Sequence, residues 1–569
     1  MKKLFALTAM TLLVSGFSHA AVGNTFDIDG LRYTVTAESA TPKVSVKAAD
    51  KSLSGDIVIP ETVENGGVTY DVTSLPAQGF GGCVEMTSIS IPASVVSIGN
   101  YPFYLCYSLT SIEVNANNPN YCSEDNVLFN KTMTILIEGA ASKKGDYHIP
   151  ESVTKIQNHA FNSCSFLTSI TIPDNVTEIG DYAFYATDAL TSINLPASVE
   201  KLGTAVFAMC ASLDQIDVAP DNPVYRSIDG VLYNKEATTL IQLPSARSGN
   251  YDIPDGITQT EVYSLAECKI TSCSVPASCT NISSSTFAYC TELKEINVNA
   301  GNPSYCSEDG LMFSKDKTSL LQYPGGIPGT FTIPDGVTAL GDQLFRGSLV
   351  NTVIIPSEVV SIGASAFRAC PDLKSIVDLR ETPQSLGSNA LTDLTESPVV
   401  YVPKGSKSAY ENAWSMVSDF READGIVATL SRSSISLSVG KTTALKVDVV
   451  AFSDVTVQSE SWKSSDPTVA SVDTKGNVTA VSEGTTTISV TVTDNEGATS
   501  TDECLVTVDS SAGITVVVSD YTDSMSIDYS KPIMIYTPDG TFAGTNLETI
   551  RRGVYIVRQG AIAAKILVK

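Results

Sequence analysis

Beyond residue 20 this chain holds two histidines, His148 and His159, so acid–base chemistry near neutral pH has few carriers. Internal copies of the surrounding sequence test both. His148 precedes an Ile-Pro where matching segments carry Asp252 and Thr332, and His159 fills a slot held elsewhere by Tyr182 and Ser365. Positions that exchange so freely read as surface filler. No nucleophile–base–orienter set, metal-spaced cluster or glycine-rich phosphate loop stands out. The acidic turns Ser123-Glu124-Asp125 and Ser307-Glu308-Asp309-Gly310 offer oxygen ligands of the kind calcium prefers. They lack the carboxylate density of a dedicated site, and Asp-Gly is ordinary turn chemistry. The sequence therefore predicts no enzyme, no cofactor and no metal.

Binding chemistry is better supplied. Three segments bear aromatic side chains at matching positions: Tyr121 and Phe129, Tyr225 and Tyr233, Tyr305 and Phe313. Aromatics of this kind anchor partners when exposed. A second set, Glu113, Asp217 and Glu295, falls at outward positions of short strands among Ser, Thr and Asn, giving a small-residue, mildly acidic face. That face reads equally as a partner-binding surface or as a plain solvated one.

The element that must position these residues is a repeat. The string Ile-Pro-x-x-Val-x-x-Ile-Gly-x-x-Ala-Phe-x-x-Cys recurs from Ile91, Ile172 and Ile355, with marker prolines at 60, 92, 150, 173, 196, 254, 276, 334 and 356. Their spacings are 32, 58, 23, 23, 58, 22, 58 and 22 residues. A period of 22–23 residues marks a solenoid, because one such unit cannot bury its apolar face without stacking on neighbours. In Leu167–Ile172 the alternation predicts a strand with Leu167, Ile170 and Ile172 inward. The proline then ends the strand, Val176 and Ile179 re-enter the core, Gly180 turns, and Ala183-Phe184 plug the far side. The expected fold is β-rich, with a parallel sheet on one face and short turns on the other.

Each 58-residue step carries an Asn-Pro 27 residues after its marker proline, at Pro119, Pro223 and Pro303. The inserts read as strand pairs projecting from the solenoid edge, so deleting residues 116–148 is expected to leave the array folded. Seven cysteines (83, 106, 164, 210, 268, 290 and 370) sit three residues after the motif Phe or its equivalent Leu265, where Thr187 and Ser348 stand in two other copies. Side chains stacked about 4.8 Å apart and pointing the same way suit a ladder of small buried thiols better than disulfides.

Net charge −26 over 569 residues argues against nucleic acid, which needs a basic face. Lys2-Lys3, an apolar run to Phe17 and Ser18-His19-Ala20 read as a signal peptide over residues 1–20, and no later run is long and apolar enough to span a bilayer. Capping strands are expected over 21–59, the array with its C-terminal cap over 60–424, a β-sandwich over 425–509 and a small strand-rich unit over 510–569. In the cap, a short helix from about Ser406 would bring Trp414 over the open end.

The repeats, the Asn-Pro inserts and the segment YVPKGSKSAY resemble the BspA-like leucine-rich repeats of bacterial surface proteins over roughly residues 25–424. The stretches ISLSVGKTTAL and SWKSSDPTVASVDTKGNVTAVSEGTTTISVTV resemble a bacterial immunoglobulin-like domain of group 2, with Trp462 as the implied core tryptophan. The tail, with its Gly-Val-Tyr-Ile-Val strand and final Lys-x-Leu-Val, is similar to type IX secretion sorting domains. Together these imply an adhesin-like protein, secreted or on the outer surface of a diderm bacterium, presenting its array to an extracellular protein or glycan. The alternative is a structural envelope or matrix component that self-associates, with an enzyme as a distant third.

Overall fold

The computed structural model describes residues 21–509 except 424, 433, 453 and 454, and beyond them four strands, Met534–Tyr536, Phe542–Gly544, Gly553–Gln559 and Ile562–Val568. The expected signal peptide and most of the expected sorting-like unit lie outside the described residues. The chain divides into two compact units, Met1–Asp424 and Gly425–Lys569.

In the first unit, successive coils stack through two ladders of parallel strands. One ladder holds the strands that precede the marker prolines. Leu167, Ile170 and Ile172 are buried and Ser169 and Thr171 exposed, as the alternation predicts. The second ladder consists of two-residue strands from the Val-x-x-Ile segment, such as Lys155–Ile156, Glu178–Ile179 and Lys201–Leu202. On the turn side the motif phenylalanines stack coil on coil, Phe161 on Phe184 and Phe184 on Phe207 at 5.6 Å. The motif glycine is required by approach rather than by dihedral angle. A Cβ on Gly180 would lie 2.5 Å from the backbone N of Asn158 in the preceding coil.

The cysteine ladder has a chemical reason. The thiols of Cys106, Cys210, Cys290 and Cys370 donate to the carbonyls of Phe80, Phe184, Leu265 and Phe345 one coil earlier, at 2.9–3.1 Å. Thr187 does the same with its hydroxyl, to Phe161 at 3.0 Å. The slot selects a small side chain that can satisfy one buried carbonyl. All twelve cysteines are free thiols, and burial pushes Cys106 and Cys290 up to about 12, far from the reactive thiolate range.

The inserts differ from the strand pairs expected at the solenoid edge. Each comprises three strands, the first being Tyr121–Glu124, Val127–Asn130 and Ile135–Gly139 in antiparallel order. The third strand pairs parallel with Lys155–Ile156 and so starts a new run of the second ladder. Side chains of the middle strand are buried on both faces. Val127 and Phe129 face the core that extends on to Leu232, whereas Leu128 joins the core that begins at Leu31. Leu232 and Met312 divide the next boundaries in the same way from their neighbours Val231 and Tyr233, and Leu311 and Phe313. Among the described residues the three inserts are walls between four main hydrophobic cores of the array, and a smaller cluster of Ala205, Ala208, Tyr263, Ala266 and Ala288 spans the middle insert. The continuous apolar triplets of the inserts are what a strand buried on both faces requires.

The array ends in the strands Ser375–Asp378, Val399–Pro403 and Asp419–Ala423, with the helix Lys407–Ala413 before the last. Trp414 is buried at the helix C-terminus, its indole N–H donating to Gln384 at 3.2 Å. In the second unit, Ser434–Ser438, Thr499–Asp509, Gly484–Asp494 and Val457–Ser464 form one sheet. Two smaller sheets accompany it, one pairing Ile426–Leu430 with Val447–Ala451 and one of three strands, around a core that includes Ile488, Val490 and Val506. Trp462 packs half-buried against this core rather than at its centre.

Candidate binding surface

The insert aromatics are placed by a local hydrogen-bond design that begins at the Asn-Pro motif. Asn118 is buried, its amide N–H groups donating to the carbonyls of Pro92 and Val95 at 2.8 Å. Its Oδ1 accepts from the N–H groups of Asn120 and Tyr121. Asn222 and Asn302 repeat all four bonds. A fully satisfied buried amide of this kind locks the start of the hairpin to the preceding coil.

The tyrosine three residues on is fixed in turn. Tyr121, Tyr225 and Tyr305 each accept, at the phenol oxygen, the N–H of Ile98, Leu202 and Ile282 at 2.9–3.1 Å. Ser97–Ile98 and Lys201–Leu202 are the last strands of their runs in the second ladder, so the hydroxyl satisfies an edge donor that no further strand reaches.

This packing corrects the expectation that the insert aromatics are offered to a partner. Phe129 is 0% exposed, Phe313 and Tyr233 2%, and Tyr225 9%. Tyr121 and Tyr305 are half-buried with their hydroxyls engaged. The cause is the two-sided burial of the insert strands described above.

Glu113, Asp217 and Glu295 are exposed, on Ser111–Val114, Gln215–Val218 and Glu295–Val298. Each of these is the last strand of its parallel sheet before an insert. The hairpin turn of the insert closes on it. Ile216 and Ile296 donate their N–H groups to the carbonyls of Gly230 and Gly310. Asp229-Gly230 and Asp309-Gly310 both have positive φ at the two turn positions, as does Asp125-Asn126, which is the pattern of a two-residue hairpin turn. A Cβ on Gly310 would stand 2.9 Å from Glu295 Cβ, so the Asp-Gly sequences serve the fold. Asp125 pairs with Lys143 at 2.7 Å and Glu308 with Lys317 at 2.9 Å.

His159, read above as filler, belongs to an aromatic row on the turn side. Its ring lies 4.6 Å from Tyr101, 5.4 Å from Tyr104 and 5.1 Å from Tyr182. Burial lowers its pKa, against the opposing pull of Asp181. His148 is exposed. One carboxyl stands apart from all of these. Glu138, buried in the first insert, accepts the N–H of Phe103 at 3.2 Å, and burial raises it to about 8. Its register-mates in the other inserts are Gln242 and Gln322, a clue the sequence held.

Among the described residues no helix is long and apolar enough to cross a membrane. The profile of the BspA-type leucine-rich repeat region matches residues 62–135, 141–248, 245–315 and 329–424, and that of the bacterial Ig-like domain, group 2, matches 427–502. Similar solved structures include a leucine-rich cell surface protein of Faecalibacterium prausnitzii, at 24% identity and TM-score 0.37, covering 68% of this chain and 97% of that one. The pneumococcal vaccine antigen PcpA is similar at 20% identity and TM-score 0.36, covering 71% and 100%. An uncharacterised protein of Clostridium acetobutylicum is 36% identical over 80 residues, which is 14% of this chain and 19% of that protein. The chain thus spans about a fifth of the length of that curated relative. With repeat profiles over more than half of its residues, this chain belongs to the BspA-type leucine-rich repeat family.

Proposed function

We propose that this protein is a secreted or surface-displayed binding protein whose repeat array presents the exposed strand face to an extracellular protein or glycan. One observation carries the reading. The outward positions Glu113, Ser169, Thr171, Asp217 and Glu295 stay open to solvent, while the insert aromatics are buried or committed to hydrogen bonds. A face of carboxylates, hydroxyls and amides suits polar or basic partners, and in a chain of net charge −26 it would speed their encounter at low salt. Support for the address comes from the basic-then-apolar residues 1–20 and from the family. The same reading takes 510–569 as a sorting-like unit and assigns no catalysis.

The test is a binding screen of the full chain against immobilised matrix proteins, mucins and a glycan array, beside a Glu113→Lys/Asp217→Lys/Glu295→Lys variant. The reading expects a partner whose affinity falls with salt and falls again in the variant. Binding to nothing in the screen, with light scattering showing self-association instead, would favour a structural envelope component.

A further inference from the structure

The three inserts interrupt the second ladder in the same way but close the interruption differently. At the first break Glu138 reaches back across the gap and takes the N–H of Phe103. At the third, Gln322 reaches back and donates to the carbonyl of Ser284 at 2.7 Å. At the middle break the equivalent Gln242 turns forward. Its amide N–H groups donate to the carbonyls of Leu243, Tyr263 and Ser264, and its Oε1 receives no hydrogen bond among the described residues.

The gap this leaves is a cleft of ≈ 400 Å³, within the size range of small-ligand sites. Two donors on its wall are also unclaimed. In the regular coil before it, Tyr182 and Phe184 donate their N–H groups to the carbonyls of Thr204 and Val206. The matching N–H groups of Ala205 and Phe207, which line the cleft, meet no acceptor among the described residues. Gln242 is 2% exposed and lines the cleft. Apolar wall is supplied by Leu202, Val206, Leu232 and Ile241, and Asp181, Asn234 and Glu261 stand among the polar lining groups.

We propose that this cleft binds the acetamido group of an N-acetylated sugar. The carbonyl of that group accepts from the Phe207 N–H, as the Glu138 carboxyl does at the first break. Its N–H donates to Gln242 Oε1, its methyl meets the apolar wall, and the ring hydroxyls reach the rim carboxylates and amide. Buried polar groups discriminate best when a ligand lacking the partner leaves them unpaired. Lys201 is the one cationic side chain of the lining against two carboxylates, which disfavours an anionic ligand. The site is distinct from the strand face and holds whether or not that face binds.

The experiment is saturation-transfer NMR and calorimetry on the full chain with N-acetylglucosamine and its β-1,4-linked disaccharide, against glucose, cellobiose, acetate and N-acetylalanine methylamide. Saturable binding of the two acetamido sugars is expected, with the methyl protons closest to the protein and the unacetylated sugars at least about tenfold weaker, the loss of one well-made buried hydrogen bond. Gln242→Glu, which recreates the Glu138 arrangement, and Thr204→Trp, an exposed rim residue, should each remove binding. Thr204→Trp keeps the test available if the buried change prevents folding. No saturation by either acetamido sugar overturns the proposal. So does equal binding of glucose, acetate or the peptide amide, or undiminished binding by the folded variants.

Discussion

Replacing Glu138 by glutamine should stabilise the array at neutral pH while leaving it unchanged in acid. The carboxyl is buried, its protein hydrogen bond is the Phe103 N–H, and burial raises its pKa from 4.5 to about 8. A folded-state pKa above the unfolded one means that the folded chain holds a proton the unfolded chain has released. The contribution to stability is therefore full below about pH 4.5 and is lost as pH rises through about 8. At pH 7 the roughly 2.5 pH units above the unfolded value correspond to about 3 kcal/mol, at ~1.36 kcal/mol per unit. Glutamine occupies the same register at positions 242 and 322, so the shape is already tolerated by this fold. Urea denaturation of both full-length proteins from pH 4 to 8 is the assay. Glu267 and Asp378, raised by burial to about 7 and about 6, share the sign and cancel in the difference between the two proteins. A difference near zero at pH 4 that grows to about 3 kcal/mol in favour of the variant at pH 7 is expected. A pH-independent difference, or a variant less stable at pH 7, would refute the assignment of a buried uncharged carboxyl.

Asn222→Ala removes four buried hydrogen bonds and should lower stability by about 2–4 kcal/mol, whereas Tyr225→Phe, which orphans one N–H, should cost about 1–2 kcal/mol; chemical denaturation ranks the two. Deleting residues 116–148 takes Val127, Leu128 and Phe129 from two cores, and loss of the cooperative transition by circular dichroism is expected rather than a trimmed but folded array. Cys210→Thr should cost under about 1 kcal/mol, because Thr187 already makes the same bond in the next slot. Reductant should leave the melting temperature of the parent unchanged.

The array was legible because its constraints repeat. A strand before each proline, a glycine where coils approach and a phenylalanine on the far side each recur at one spacing, so nine copies vote on every position. The small thiol slot was readable for the same reason, since Thr187 and Ser348 share it. The position of the inserts is not legible from spacing, because a 58-residue step between prolines fits a projection outside the stack as well as a wall within it. The decisive signal was local: Val127-Leu128-Phe129, Val231-Leu232-Tyr233 and Leu311-Met312-Phe313 do not alternate, and a strand with one wet face should. Tyr121, Tyr225 and Tyr305 stand at matching positions in the sequence, but their role depends on backbone N–H groups 23 residues earlier. Which strand ends a ladder is a property of stacking that no single segment encodes. The open middle break is subtler still, since Gln242 and Gln322 are the same residue turned in opposite directions.

The inserts are interior walls, which leaves the strand face around Glu113, Asp217 and Glu295 as the free surface. Amide hydrogen exchange of the full chain, resolved by mass spectrometry, tests it directly. Exchange in Val127–Asn130, Val231–Asn234 and Leu311–Ser314 should be as slow as in Leu167–Thr171. Exchange in those three strands at the rate of exposed turns, with the repeat strands still protected, would contradict it.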